Sequence, residues 1–155
     1  MYMIILGIQM KAITKYVATL VYCLLYFFQT TKNPTRAKQI GNILSILYGP
    51  ITAVAIIGLV INNFYHSKIQ KRDGTSIWVR IGSDIFGHIL PLWLIYTYGP
   101  TQTNVSLLLY LAIIAIFFIS MKKYLLETYI GVPQFLITSI APLICIVMFY
   151  LRFCA

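Results

Sequence analysis

Residues 40–65 read IGNILSILYGPITAVAIIGLVINNFY, twenty-six positions without an Asp, Glu, Lys or Arg. A helix rises 1.5 Å per residue, so about twenty apolar residues cross the roughly 30 Å of bilayer hydrocarbon, and this stretch reads as a spanning helix. Four further segments repeat the pattern: Ala12 to Phe28, Val79 to Tyr98, Val105 to Met121 and Tyr129 to Leu151. Together they predict an all-α, polytopic transmembrane helix bundle of about five spans, forming a single integral membrane domain over residues 1–155.

Composition points the same way. Hydrophobic residues make up 60% of the chain and charged residues 10%, against about 45–50% and about 25% in soluble domains. The charge is lopsided, with 12 Lys plus Arg and 3 Asp plus Glu. A soluble nucleic-acid binder would set such cations among polar residues, whereas these lie in short clusters between apolar runs. Nucleic acid is therefore excluded as a partner, and membrane lipids are expected instead. The cysteines Cys23, Cys145 and Cys154 are too few and too dispersed for a disulfide-stapled secreted domain.

The connections carry breaking chemistry. Lys32-Asn33-Pro34-Thr35-Arg36 and Lys71-Arg72-Asp73-Gly74 combine charge with turn residues, Gly99-Pro100 is a turn followed by Asn104 as a plausible N-cap, and Lys122-Lys123 ends the fourth segment. Lys11 and Lys15 interrupt the first segment. Either they snorkel while residues 1–10 lie along the interface, or those residues lengthen a tilted helix. A cleaved signal peptide is not expected, because no small-x-small site follows Phe28. No internal repeat is evident.

With five spans, eight Lys and Arg residues (Lys11, Lys15, Lys68, Lys71, Arg72, Arg80, Lys122, Lys123) share the side of the N-terminus, and four (Lys32, Arg36, Lys38, Arg152) lie opposite. The positive-inside rule puts the N-terminus in the cytoplasm. Phe64, Tyr65, Trp78, Tyr96, Tyr98, Tyr124, Tyr129 and Tyr150 fall near the span ends, as an interfacial aromatic belt does.

The chemistry concentrates in Gly82-Ser83-Asp84-Ile85-Phe86-Gly87-His88-Ile89-Leu90-Pro91. A carboxylate within a span costs about 2.5–3.5 kcal/mol on insertion scales, so Asp84 should face a partner or cavity. His88 lies four residues on, on the same helical face, where a carboxylate can fix the imidazole tautomer and leave the other nitrogen as a base. Pro91 is expected to free the carbonyl of Gly87, and Gly82, Ser83 and Gly87 to admit a close helix neighbour. The alternative is that the pair satisfies itself and cements helices. Pro50, Pro133 and Pro142 read as kinks. Neither a metal nor another cofactor is expected. Zinc-type ligand spacing is missing, and His66 and His88 fall at different depths for a shared haem. A hydroxyl for His88 to activate is offered by Thr14, near the start of the first segment, though a helical threonine commonly bonds its own backbone.

The order of these features resembles a family. Lys11-Ala12-Ile13-Thr14 at a span entry, Leu47-Tyr48-Gly49-Pro50 early in the next, and Asp84-x-x-x-His88 followed by Leu90-Pro91 are similar to the androgen-induced family of multi-span threonine hydrolases. That family cleaves fatty acid esters of hydroxy fatty acids. The resemblance implies Thr14 as nucleophile, His88 as base and Asp84 as its orienter, with a lipid ester as substrate. This chain departs from the family pattern in being shorter by a leading span, in having Asp84 for an asparagine, in a histidine-to-proline spacing shorter by two, and in lacking a second nearby histidine. Three function classes stay open: an intramembrane lipid-ester hydrolase, a proton-coupled transporter subunit, and a structural or assembly protein of an organelle or large-virus membrane, with self-association open in each.

Overall fold

The computed structural model describes residues 2–60, 76–128 and 131–155, with side chains described from Tyr16 onward except at Arg80 and Thr128. Among the described residues the chain is all-α. The elements are α1 (Tyr2–Thr30), α2 (Pro34–Val60), α3 (Ile77–Asp84, a π turn at Ile85–Ile89, then Leu90–Tyr98), α4 (Leu107–Thr128) and α5 (a π turn at Leu136–Ile140, then Ala141–Phe153).

The helix boundaries follow local capping chemistry more than hydropathy. α2 starts six residues before the expected Ile40 because Asn33 Oδ1 accepts the backbone N–H groups of Thr35 and Arg36 at 3.0 and 3.2 Å, and Pro34 takes the first helical position. α4 is capped by Ser106, whose Oγ accepts from the Leu109 N–H at 3.2 Å, and not by Asn104, whose own N–H is drawn to Asn42 Oδ1 at 3.1 Å. α4 also runs past Lys122-Lys123 to Thr128, with Lys123 and Glu127 paired at 4.0 Å on its exposed face. The last helix begins later than expected, since Gly131 turns the chain at φ 91° and Pro133 precedes the first turn. Pro133 is thus a break before the helix and not a kink within it.

α1 includes residues 2–10, bending at Tyr16, where φ −116° and ψ 16° leave the helical region. Among the described residues three helices are long and apolar enough to cross a membrane: Pro34–Val60, Leu107–Glu127 and Leu136–Phe153. α1 beyond its bend counts only the shorter Tyr16–Thr30, and α3 is divided by its π turn.

α2 is the central helix. Against one side Val21 and Leu25 of α1, Leu44, Tyr48 and Ile51 of α2 and Ile95 of α3 form one core. Against the other, Ala53 and Ile57 of α2 meet Tyr110 and Ile114 of α4 and Ile137, Ala141, Cys145 and Phe149 of α5. Half of the most apolar window of α2 is buried, compared with 17% in α4 and 22% in α5. The outer helices therefore turn Leu108, Ile116, Ile119, Leu143 and Leu151 away from the protein. Apolar surface on this scale marks a partner or a lipid environment.

The tightest crossing is at Gly49. A Cβ there would fall on the Tyr110 hydroxyl and lie 2.6 Å from the Cys145 carbonyl oxygen. Tyr110 donates to that carbonyl at 3.2 Å, and its ring stacks on Phe149 with centroids 3.8 Å apart. At the end of the bundle that carries the α1–α2 turn, Gln29 donates to the Tyr98 carbonyl and Arg152 to the Tyr96 carbonyl at 2.9 Å, while Ser45 and Thr103 share a 2.7 Å hydrogen bond. Trp78, Tyr96, Tyr98 and Tyr150 of the expected belt are exposed; Phe64, Tyr65 and Tyr129 lie outside the described residues. So do Lys68, Lys71 and Arg72, and the side chains of Lys11, Lys15 and Arg80, from which most of the charge asymmetry was counted.

Candidate functional site

α3 begins with Ser76, whose Oγ accepts from the Val79 N–H at 3.4 Å, and runs as ordinary α-helix to Asp84. Pro91 then intervenes. A proline lacks the N–H that would bond a preceding carbonyl, and its ring crowds the turn before it. The chain responds by widening: the Leu90 N–H donates to Ile85 O, five residues back, so Ile85–Ile89 forms a π turn.

This register shift adds a second carbonyl to the one expected at Gly87. Continued for one more residue, the five-residue spacing would pair Pro91 with the carbonyl of Phe86. That acceptor is likewise left without a backbone donor. Tyr22 of α1 supplies one, donating to Phe86 O at 2.6 Å. The same device recurs in α5, where Ile140-Ala141-Pro142-Leu143 matches Ile89-Leu90-Pro91-Leu92 in form and the Ala141 N–H donates five residues back to Leu136 O. Pro142 therefore ends a π turn, a feature its sequence context does not announce.

Asp84 and His88 do come together. His88 Nε2 lies 3.9 Å from Asp84 Oδ1, with 25% and 18% of the two side chains exposed. That separation is too long for a direct hydrogen bond. His88 Nδ1 is buried with no hydrogen-bond partner among the described residues. The imidazole thus turns one nitrogen to the carboxylate and leaves the other uncommitted. Along the helix axis Asp84 is about 10 Å and His88 about 16 Å from Ile77, which sets the pair toward mid-helix.

The glycines divide differently from expectation. Among the described residues a Cβ at Gly82 or Gly87 would meet nothing within 4 Å, so neither marks a close approach to a described helix. The approach is made by Gly58 of α2, where a Cβ would lie 3.1 Å from Asp84 Oδ1. Gly58 is a neighbour of the candidate site that sequence reading missed; a glycine in an apolar run carries no sign of which helix will cross it. Thr14 belongs to α1, but its side chain lies outside the described residues. Among the described residues, Tyr22 of α1 reaches the turn that carries His88.

Among the described residues no three His, Cys, Asp or Glu side chains converge on a common point, and Cys23, Cys145 and Cys154 are free thiols. Compared with family models, curated proteins and solved structures, the chain matches none.

Proposed function

We propose that this is a multi-pass integral membrane protein, its five helices crossing the bilayer with the N-terminus cytoplasmic, and that the Asp84/His88 pair is its proton-exchanging site, as in a proton-coupled transporter subunit. The carrying observation is the pair itself: a carboxylate and an imidazole 3.9 Å apart within a largely apolar helix, with the buried Nδ1 of the imidazole lacking a hydrogen-bond partner among the described residues. Ionisable groups at such depth are expensive unless they are used or paired. An imidazole is the side chain best suited to accepting and returning a proton.

Length supports crossing by α3, whose residues 77–98 reach about 33 Å despite the π turn; α1 attains such a length only with the residues before its bend at Tyr16. The hydrogen bonds joining Gln29 to Tyr98 and Arg152 to Tyr96 gather at one end the helix termini that an alternating topology brings together.

The test is proton flux in liposomes carrying an entrapped pH dye. Asp84→Asn and His88→Gln, each shown to keep wild-type helix content, are expected to lose most of the flux. Wild-type flux in both variants would overturn the reading.

A second reading, the lipid-ester hydrolase with Thr14 as nucleophile, draws support from the same imidazole geometry, since a base oriented by a carboxylate also needs a free nitrogen. Proton exchange is preferred because Thr14 is eight residues from Tyr22, about 12 Å along α1 and beyond the bend at Tyr16. Fluorophosphonate labelling that is lost in both Thr14→Ala and His88→Ala would reverse that preference.

A further inference from the structure

Two registers are open to α3 ahead of Pro91, and they strand different carbonyls. An unbroken α register would leave Gly87 O facing the nitrogen that has no hydrogen. The π register leaves Phe86 O as well. In hydrocarbon no water is on hand to satisfy the stranded oxygen, so the register that finds a donor is favoured. The donor here is the Tyr22 hydroxyl, at 2.6 Å from Phe86 O.

The choice has a geometric consequence for the pair. Changing from the π to the α register withdraws one residue from the turn, which rotates everything before it by roughly 100° and shifts it about 1.5 Å relative to Leu90–Tyr98. Asp84 sits immediately before the turn and His88 within it. The carboxylate would swing away from Gly58, and the imidazole would turn with the helix. The contact between Asp84 and the bare face of Gly58 therefore exists only in the register that Tyr22 satisfies.

We infer that Tyr22 is a positioning residue for the Asp84/His88 site: through its hydrogen bond to the Phe86 carbonyl it holds α3 in the π register that aims both side chains. The inference rests on the reading that this pair is the working site. α5 supplies an internal comparison, because Tyr110 of α4 also donates a hydroxyl to a carbonyl of a proline-broken helix, Cys145 O at 3.2 Å, far from the pair in sequence and on the other side of α2.

The test reads the imidazole directly. With 15N-histidine in lipid nanodiscs at one fixed pH, and His66→Gln to leave a single signal, the two His88 nitrogen resonances report its tautomer and surroundings. Tyr22→Phe, which removes only the hydroxyl, is expected to move both resonances, whereas Tyr110→Phe leaves them in place. Pro91→Ala supplies the N–H that Gly87 O lacks in the α register, so it lets α3 revert to that register and is expected to move them too, and adding Tyr22→Phe to it should produce no further change. Unmoved resonances in folded Tyr22→Phe, or an equal displacement in Tyr110→Phe, would overturn the inference. If Tyr22→Phe fails to fold, unmoved resonances in Pro91→Ala do so by themselves. Displaced resonances together with undiminished proton flux in Asp84→Asn would leave the positioning intact and sink the proton-exchange reading instead.

Discussion

At Gly58 and Gly49 the same missing side chain serves two purposes. Gly58 lets the Asp84 carboxylate lie against α2, where an added methyl would come within 3.1 Å of Oδ1. A carboxylate can swing aside, so Gly58→Ala is expected to lower proton flux severalfold while changing stability by no more than about 1 kcal/mol. Flux and thermal melting of the same preparation check both halves of that statement. At Gly49 the obstruction includes the Cys145 backbone, which cannot move aside without parting α2 from α5. Gly49→Ala is expected to cost about 3 kcal/mol, at the upper end for overpacked sites, and to show as a lowered denaturation midpoint in mild detergent. Equal behaviour of the two alanine variants would show that the crossings are not the distinct contacts described above.

Helix ends and helix breaks set the architecture at the scale of elements. Asn33 gives α2 its early start by accepting two backbone N–H groups, and Asn33→Ala should destabilise that first turn by about 1 kcal/mol, near fivefold in the local opening equilibrium. Faster hydrogen exchange confined to the amides of Thr35 and Arg36 is the expected readout. The two π turns are placed by Pro91 and Pro142, each two residues beyond the widened segment. Pro50 produces no such widening, and α2 is assigned continuously from Pro34 to Val60 as α-helix. That difference was not legible in the sequence, where Pro50 and Pro142 alike read as kinks, because how a helix takes up a proline depends on the helices packed around it.

For the molecule as a whole, orientation is the property most open to a direct check. Cys154 is exposed beside Arg152 at the end of α5, whereas Cys145 is buried under Tyr110 and Gly49. If the N-terminus is cytoplasmic and five helices cross, a membrane-impermeant maleimide should modify Cys154 from outside intact cells and leave Cys145 untouched until the protein is denatured. Modification of Cys154 only after the cytoplasmic face is opened would invert the topology or change the number of crossings. The apolar exterior of α4 and α5 makes a lipid or detergent environment a condition of that experiment.

Hydropathy and charge alone determined that the chain is helical, that its long apolar runs suit a bilayer, and that Asp84 and His88 share a helical face; each follows from composition or from a fixed period along one segment. The tertiary structure decided which helix lies at the centre, that Gly58 receives the carboxylate, and that Tyr22 answers a carbonyl freed ahead of Pro91. Those facts are pairings between positions 26 and 64 residues apart, set by which faces pack once the helices assemble. No periodicity within a single segment encodes the partner that will satisfy its broken hydrogen bond.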